Sequence, residues 1–124
     1  MKPWETSPER YGELLEEKCA GIAGDFVALG APEAEIFPSP AHSYRVRAEF
    51  RVWHDGDDLA YVMFDSADPR VPAPVDDFVP ALEPIRKLMP ALRSRLATSP
   101  PLRRKLFQVE FLASRDGSVL VTLI

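Results

Sequence analysis

The amino-acid sequence predicts an α+β domain, in which an antiparallel sheet of four to five strands packs with two helices. Three observations support this fold class. Residues 44–53 alternate between apolar and polar side chains, which is typical of a half-buried strand. Asp-Gly pairs at 55–56 and 116–117 indicate two tight hairpins. Residues 11–22 and 82–96 repeat their apolar side chains at spacings of three and four, which indicates helices.

The composition indicates one globular domain. The chain has 124 residues, of which 46% are hydrophobic and 27% are charged, so neither two domains nor a disordered chain is expected. No apolar run approaches the ~18 residues of a membrane span, and the N-terminus lacks the apolar stretch of a signal peptide. The single cysteine, Cys19, excludes an internal disulfide and favours a reducing compartment. We therefore expect a soluble cytoplasmic protein.

The first helix is expected to begin at Thr6. Thr6 and Glu9 have the spacing of a capping box, and Pro8 suits a first helical turn. The apolar stripe of this helix consists of Tyr11, Leu14, Leu15, Cys19 and Ile22. Gly21 and Gly24 are expected to weaken and end the helix, and a proline-rich connector follows.

The strand that begins at Tyr44 has two chemically different faces. Its apolar face carries Tyr44, Val46, Ala48, Phe50 and Val52, and its polar face carries Arg45, Arg47, Glu49, Arg51 and Trp53. If Asp55-Gly56 forms a two-residue type I′ loop, Phe50 lies opposite Tyr61 in the next strand. A third short strand, residues 70–75, is expected at a sheet edge because it contains two prolines.

The second helix is expected to be capped by Asp76 or Asp77. Its apolar face carries Leu82, Ile85, Leu88, Met89, Leu92 and Leu96. Pro84 and Pro90 are expected to kink or shorten it.

The last hairpin suggests that the chain is part of something longer. If Asp116-Gly117 is a two-residue loop, Phe111 pairs with Thr122, and the sequence ends before the positions that would pair with Gln108 and Phe107. We interpret the chain as the front piece of a longer protein. A complete small domain with a ragged terminus is the alternative.

The sequence contains no recognisable catalytic, metal-binding or cofactor-binding constellation. Cys19 lies on a helical apolar stripe without an activating neighbour, so a buried structural role is expected. His42 and His54 are not joined by further ligands at metal spacing, and residues 54–58 are explained as a solvated hairpin tip rather than a cation site. The glycines form neither a dinucleotide fingerprint nor a phosphate-binding loop.

Basic residues give a better indication of function. The net charge is −4, yet residues 85–109 carry seven basic residues and no acidic one. Arginine side chains can hold phosphate oxygens, and Trp53 and Phe107 offer surfaces on which an unstacked base could lie. Glu49 lies among the strand arginines, so a merely solvated strand face remains an alternative.

Two segments resemble the N-terminal region of the bacterial tRNA (uracil-5-)-methyltransferases. They are residues 37–59, which contain YRVRAEFRVWHDGDD, and residues 101–112, which contain LFQV. That family makes ribothymidine in the T-loop of tRNA. In the family this region precedes an S-adenosylmethionine-binding, Rossmann-like catalytic domain, which the resemblance implies is missing from this chain.

The resemblance implies a division of labour. In the family, a cysteine adds to C6 of uracil, S-adenosylmethionine supplies the methyl group to C5, and a glutamate removes the C5 proton. All three belong to the missing domain, so we expect no catalytic, cofactor-binding or metal-binding residue here and no methyl transfer by this chain alone. Arg51 in RAEFR and Phe107 in LFQV match positions that contact or stack with the T-arm.

We therefore interpret residues 1–124 as the N-terminal RNA-recognition domain of such an enzyme, with the tRNA T-arm and the catalytic domain as partners. Weaker RNA-binding candidates are Arg45, Arg47, Arg103, Arg104, Lys105 and Gln108. The alternative is a free-standing protein-interaction or regulatory domain that has lost the catalytic half. A compact enzyme that uses His42 or His54 is disfavoured.

Overall fold

The computed structural model describes Lys2 and residues 4–124. These residues form two compact units, one of residues 7–42 and the other of residues 43–124 together with the described residues before position 7. The main elements are α1 (Tyr11–Val27), β1 (Arg47–Asp55), β2 (Asp58–Phe64), β3 (Pro72–Pro74), α2 (Glu83–Ala97), α3 (Pro100–Arg103), β4 (Gln108–Ala113) and β5 (Val119–Leu123). The predicted α+β class is confirmed.

The unit of residues 7–42 consists of a helix and its connector. A short 3₁₀ turn, Pro8–Arg10, leads into α1, and no side chain caps either. The expected capping box is therefore wrong. The helix also continues through Gly21 and Gly24 and ends at Val27, before a turn at Gly30 with φ of 66°. Its residue Cys19 is a free thiol that is partly exposed, not buried as expected.

The other unit is built on a five-stranded sheet. The strand order is β3-β2-β1-β4-β5, and all four pairings are antiparallel. One face of the sheet forms the core, in which the rings of Phe50, Tyr61 and Phe111 lie 5.6 to 6.2 Å apart between centroids. Helix α2 covers this face through Ile85 and Met89, which are fully buried. Aromatic and aliphatic burial therefore holds the sheet to α2.

The predicted two faces of β1 are confirmed from Ala48 to Val52, whereas Tyr44 and Val46, which were expected on the apolar face, are exposed. Ala48, Phe50 and Val52 are buried, while the residues between them are exposed. The strand begins at Arg47 rather than Tyr44, because the chain before it is anchored elsewhere. The N–H groups of Tyr44 and Arg45 donate to the carbonyl of Pro80 at 2.9 and 2.7 Å.

The first hairpin forms with a different register from the one predicted. Asp55 pairs with Asp58, so the loop is Gly56-Asp57, and Tyr61 lies opposite Val52 instead of Phe50. Of the two loop residues, only Gly56 has a positive φ, 59°. This is the pattern of a type II′ turn rather than type I′. The shift of two positions leaves every side chain on its predicted face.

The last hairpin also differs from the prediction. Phe111 pairs with Val121 rather than Thr122, because the loop has three residues instead of two. Ser114 and Ser118 close this loop with a 2.9 Å backbone hydrogen bond, and Gly117 has a φ of 92°. The additional loop residue turns the valines of β5 towards the core. It also gives Gln108 a partner, Ile124, so the expected lack of pairing is wrong.

The second helix begins later than predicted. Its N-cap is Leu82, and the two aspartates before it do not cap it. Asp77 instead accepts two hydrogen bonds from Arg86, at 2.6 and 2.8 Å. Pro84 lies in the first turn, where a missing N–H is tolerated, and the helix continues through Pro90 to Ala97. Within residues 2 and 4–124, no helix is long and apolar enough to cross a membrane.

Candidate nucleic-acid interface

The sheet face opposite α2 carries the predicted site, and we refer to it as the outer face. Its side chains come from alternate strand residues: Arg47, Glu49, Arg51 and Trp53 in β1, Ala60, Val62 and Phe64 in β2, Gln108, Glu110 and Leu112 in β4, and Leu120 and Thr122 in β5. Arg51 lies between Val62 and Gln108 in one row across three strands. The centre of the sheet therefore presents an arginine on this face.

The Arg51 side chain stacks on an exposed aromatic ring. Its guanidinium carbon lies 4.0 Å from the ring centroid of Phe107 and 5.7 Å from that of Phe64. Both distances are within the range of a cation–π contact. Val62 pairs with Arg51 on the same face and is only 1% exposed. Arg51 therefore lies between a buried apolar side chain, Val62, and a half-exposed ring, Phe107.

A β-bulge accounts for the position of Phe107. The N–H groups of Phe107 and Gln108 both donate to the carbonyl of Ile124, at 2.6 and 2.9 Å. Two residues of one strand therefore oppose one residue of its neighbour, which defines a bulge and interrupts the alternation of side chains. As a result Phe107 and Gln108 both reach the outer face, while Leu106 before them is buried.

His54 supports the same segment from β1. Its Nε2 lies 2.8 Å from the carbonyl oxygen of Leu106, the residue before Phe107. In the part of the chain that the structure describes, no three His, Cys, Asp or Glu residues are grouped as metal ligands would be. The visible role of His54 is therefore to hold the chain next to the exposed ring.

Some of the predicted RNA-binding side chains are bonded to carboxylates of the protein, and others are not. Arg47 forms an exposed ion pair with Glu49 at 3.5 Å, and Gln108 donates to Glu110 at 3.0 Å. Among the described residues, no ion pair or side-chain hydrogen bond involves the following basic side chains: Arg45, Arg51, Arg104 and Lys105. Their charges are available to a ligand.

Arg103 is used within the protein. Its guanidinium donates to the carbonyls of Gly56 at 2.9 Å, of Asp58 at 3.2 Å and of Ala97 at 3.0 Å, and also to the carbonyl of Asp57. It therefore joins the tip of the first hairpin to the end of α2. Local sequence does not reveal this role, because three of the four carbonyls that Arg103 binds lie more than 40 positions away.

Two acidic side chains lie beside the candidate site. Glu49 and Glu110 face each other across β1 and β4, one row from Arg51. Like charges on neighbouring strands repel a polyanion as well as each other. The end of the outer face with Arg51 and Phe107 is therefore the end that suits phosphate, and the exposed residues Arg104 and Lys105 precede Phe107 in the chain.

Comparison with known families agrees with these observations. The family model described as tRNA (Uracil-5-)-methyltransferase matches residues 10–124. The chain belongs to this family. It is 48% identical over its whole length to a protein from Marinomonas sp. (strain MWYL1), of which it covers 34%. It is also 49% identical over 117 residues to a protein from Azoarcus sp. (strain BH72), with 94% of this chain and 32% of that protein covered.

A third relative, from Chromohalobacter salexigens, is 50% identical over 121 residues, with 94% of this chain and 32% of the relative covered. All three relatives are named tRNA/tmRNA (uracil-C(5))-methyltransferase. This member of the tRNA (uracil-5-)-methyltransferase family therefore spans about a third of the length of the curated relatives that it matches.

The described residues do not fit S-adenosylmethionine, the methyl donor that the resemblance implies for the family. Adenosyl and dinucleotide cofactors bind at the strand-to-helix turns of a parallel sheet. All strand pairings among residues 47–123 are antiparallel, and both positive-φ glycines of this unit lie in hairpin loops. We assign no step of methyl transfer to these residues.

Proposed function

We propose that this chain is the tRNA-binding portion of a tRNA (uracil-5-)-methyltransferase that methylates C5 of a T-loop uridine. In this proposal the chain binds the T-arm, and a catalytic domain outside these residues supplies the cysteine, the S-adenosylmethionine site and the base. Family membership and the names of the relatives support the substrate class. The Arg51–Phe107 stack supports the binding role.

The stack is the observation that carries the proposal. Phe107 is 51% exposed, and its ring is held by the Arg51 guanidinium 4.0 Å away. A base that has left its helical stack can lie on such a ring, a contact of about 1–3 kcal/mol. The planar guanidinium has five N–H donors, and without a carboxylate partner Arg51 can direct them to a phosphate or a base edge.

This arrangement suits an enzyme that modifies the ring of a base. A base inside a folded loop must leave its stack before C5 or C6 can be reached. A protein ring that stacks in the opened loop replaces part of the lost stacking energy. In the proposal, Phe107 has this role, and the nearby Arg104 and Lys105 contact the RNA backbone.

A protein-interaction domain is the second candidate, and one observation favours it. Leu112 and Leu120 pair on the outer face and are 49% and 63% exposed. Exposed apolar side chains on a sheet are common at protein interfaces. If this is the function, substitutions at Leu112 and Leu120 will abolish partner binding, and RNA will not bind.

Binding of a T-arm RNA hairpin, followed by fluorescence anisotropy at several salt concentrations, tests the proposal. Arg51→Ala and Phe107→Ala are each expected to weaken binding by about fivefold or more, because each removes a contact of about 1 kcal/mol or more. Arg115→Ala is the matched control, since Arg115 is exposed in the β4–β5 loop. Equal affinities for all four proteins would contradict the site assignment.

Methyl transfer is tested separately with tRNA and labelled S-adenosylmethionine. We expect no methyl incorporation by the chain alone. Incorporation above the level of a protein-free control would refute the proposal that the catalytic groups lie outside these residues.

A further inference from the structure

A cavity of about 600 Å³ lies beside the first half of β1. It is lined by Tyr44, Arg45, Val46, Arg47, Ala48, Glu49, Met63 and Phe78, and we refer to it as the β1 cleft. All of its lining residues belong to the unit that contains the sheet. None of them lies in the Arg51–Phe107 stack.

The cleft exists because β1 extends beyond its neighbour. The pairing of β1 with β2 begins at Arg51 and Val62, and β2 ends at Phe64. On its other side β1 bonds to β4 through the carbonyl of Val46 and the N–H of Val52. Because backbone groups alternate in direction along a strand, those of Arg47 and Glu49 point away from β4 and towards the cleft.

The cleft combines an aromatic ring with an available positive charge, and the carboxylate in its lining, Glu49, is paired with Arg47. Tyr44 is 38% exposed, and the apolar wall is completed by Met63 and Phe78. Arg45 is exposed and has no carboxylate partner within residues 2 and 4–124. The backbone hydrogen bonds of Tyr44 and Arg45 to Pro80 hold this wall in place. A ring for stacking and a guanidinium for phosphate together suit a nucleotide.

The cleft lies next to a cavity that adjoins Arg51 of the candidate site. This smaller cavity has a volume of about 260 Å³, and the two cavities share Glu49 and Met63. Arg45 and Arg51 are six residues apart, which corresponds to about 20 Å along a strand. One single-stranded segment of RNA can therefore contact both places.

We propose that the β1 cleft binds a second unstacked nucleotide of the RNA that is bound by Arg51 and Phe107. The base lies against Tyr44, and the phosphate is held by Arg45. Arg47 does not take the phosphate, because Glu49 already pairs with it at 3.5 Å. This inference rests on the proposed RNA-binding function and adds a second subsite to it.

The experiment compares variants of both subsites against the same T-arm hairpin. Arg45→Ala is expected to weaken binding about fivefold and to reduce the slope of log affinity against log salt by about one. Tyr44→Ala is expected to weaken binding by a similar factor, whereas Tyr44→Phe keeps the ring and retains affinity. Arg115→Ala again controls for the loss of one exposed charge.

Hairpins with one abasic loop position each then identify the bound base. One abasic position is expected to remove the effect of Tyr44→Ala and to leave the effect of Phe107→Ala unchanged. Near-ultraviolet circular dichroism and the melting temperature of each variant establish that it is folded.

Two results overturn the inference in different ways. If wild type binds and Phe107→Ala weakens binding while Tyr44→Ala and Arg45→Ala do not, the cleft is not a nucleotide subsite and the proposed function stands. If the wild-type chain does not bind the hairpin at all, the proposed function fails and the subsite fails with it.

Discussion

At the scale of single residues, Arg51 has two roles that the structure makes compatible. It lies next to the buried Val62 on the same face and against the ring of Phe107, where its methylene groups and its charge can both contribute to packing. Its N–H donors are not used by a carboxylate. The same side chain can therefore stabilise the outer face and bind a ligand.

Replacement of Arg51 tests the packing role. Arg51→Ala is expected to lower the free energy of unfolding by about 1 kcal/mol, because it uncovers Val62 and removes the cation–π contact. Urea unfolding of the variant measures the effect. Arg115→Ala should change stability by less than about 0.5 kcal/mol, and an Arg51→Ala protein as stable as this control would contradict the packing role.

Arg103 is expected to matter more for stability than for RNA binding. Arg103→Ala should lower the free energy of unfolding by about 1–2 kcal/mol, because it removes hydrogen bonds from a charged donor to the hairpin tip. Unfolding in urea measures the loss, and Arg104→Ala is the matched control, since Arg104 has no such bonds. Equal stability of the two variants would show that the hairpin tip does not depend on Arg103.

At the scale of elements, an ion pair lies at the start of α2, where no side chain caps the helix. Arg86, in the first turn region of α2, donates to both carboxylate oxygens of Asp77. These hydrogen bonds lower the pKa of Asp77 below its usual value. The carboxylate is about half exposed, so solvent screens the pair. Its contribution to the free energy of unfolding is therefore small, although its hydrogen bonds are short.

Asp77→Asn tests this pair through pH. The substitution is expected to lower the free energy of unfolding by about 0.5 kcal/mol at neutral pH. Because the folded pKa of Asp77 is lowered, its contribution is present above the unfolded value of about 3.9 and is lost as the pH falls through the folded value. Chemical unfolding at several pH values should therefore show the two proteins converging in acid. A difference that grows with acidity would contradict the assignment.

Replacement of Pro90, in the interior of α2, is expected to raise the free energy of unfolding rather than lower it. A proline there removes one helical hydrogen bond to the carbonyl of Arg86, four positions earlier. Pro90→Ala restores that donor and is expected to raise the free energy of unfolding by about 1 kcal/mol or more, even after the added chain entropy of the unfolded state. Calorimetry should show a melting temperature higher by a few degrees. A lower melting temperature would show that the proline is needed for packing.

At the scale of the whole molecule, the local sequence patterns predicted the helices and strands. They did not predict the hairpin registers or the bulge that positions Phe107. The alternation of apolar and polar residues along β1 predicted which side chains are buried, because successive side chains of a strand point to opposite faces. The hairpin registers were wrong because an Asp-Gly pair fits loops of different length and position. The bulge at Phe107 and Gln108 depends on the carbonyl of Ile124, a distant partner that no local pattern reveals.

The sequence predicted the main residues of the candidate site, but not how they contact each other. Arg51 could be placed on an exposed face, and the LFQV segment singled out Phe107. Their direct contact required two strands to come together in one register. The roles of Val62 and Phe64 were missed for the same reason.

The central claim is that the Arg51–Phe107 stack binds RNA. Nuclear magnetic resonance titration of the isotope-labelled chain with a T-arm hairpin tests it most directly. The Arg51 Nε–H and Phe107 ring resonances are expected to be among the most strongly shifted, together with the Arg104 and Lys105 amides. Shifts confined to Leu112, Leu120 and their neighbours, or no shifts at a saturating RNA concentration, would contradict it.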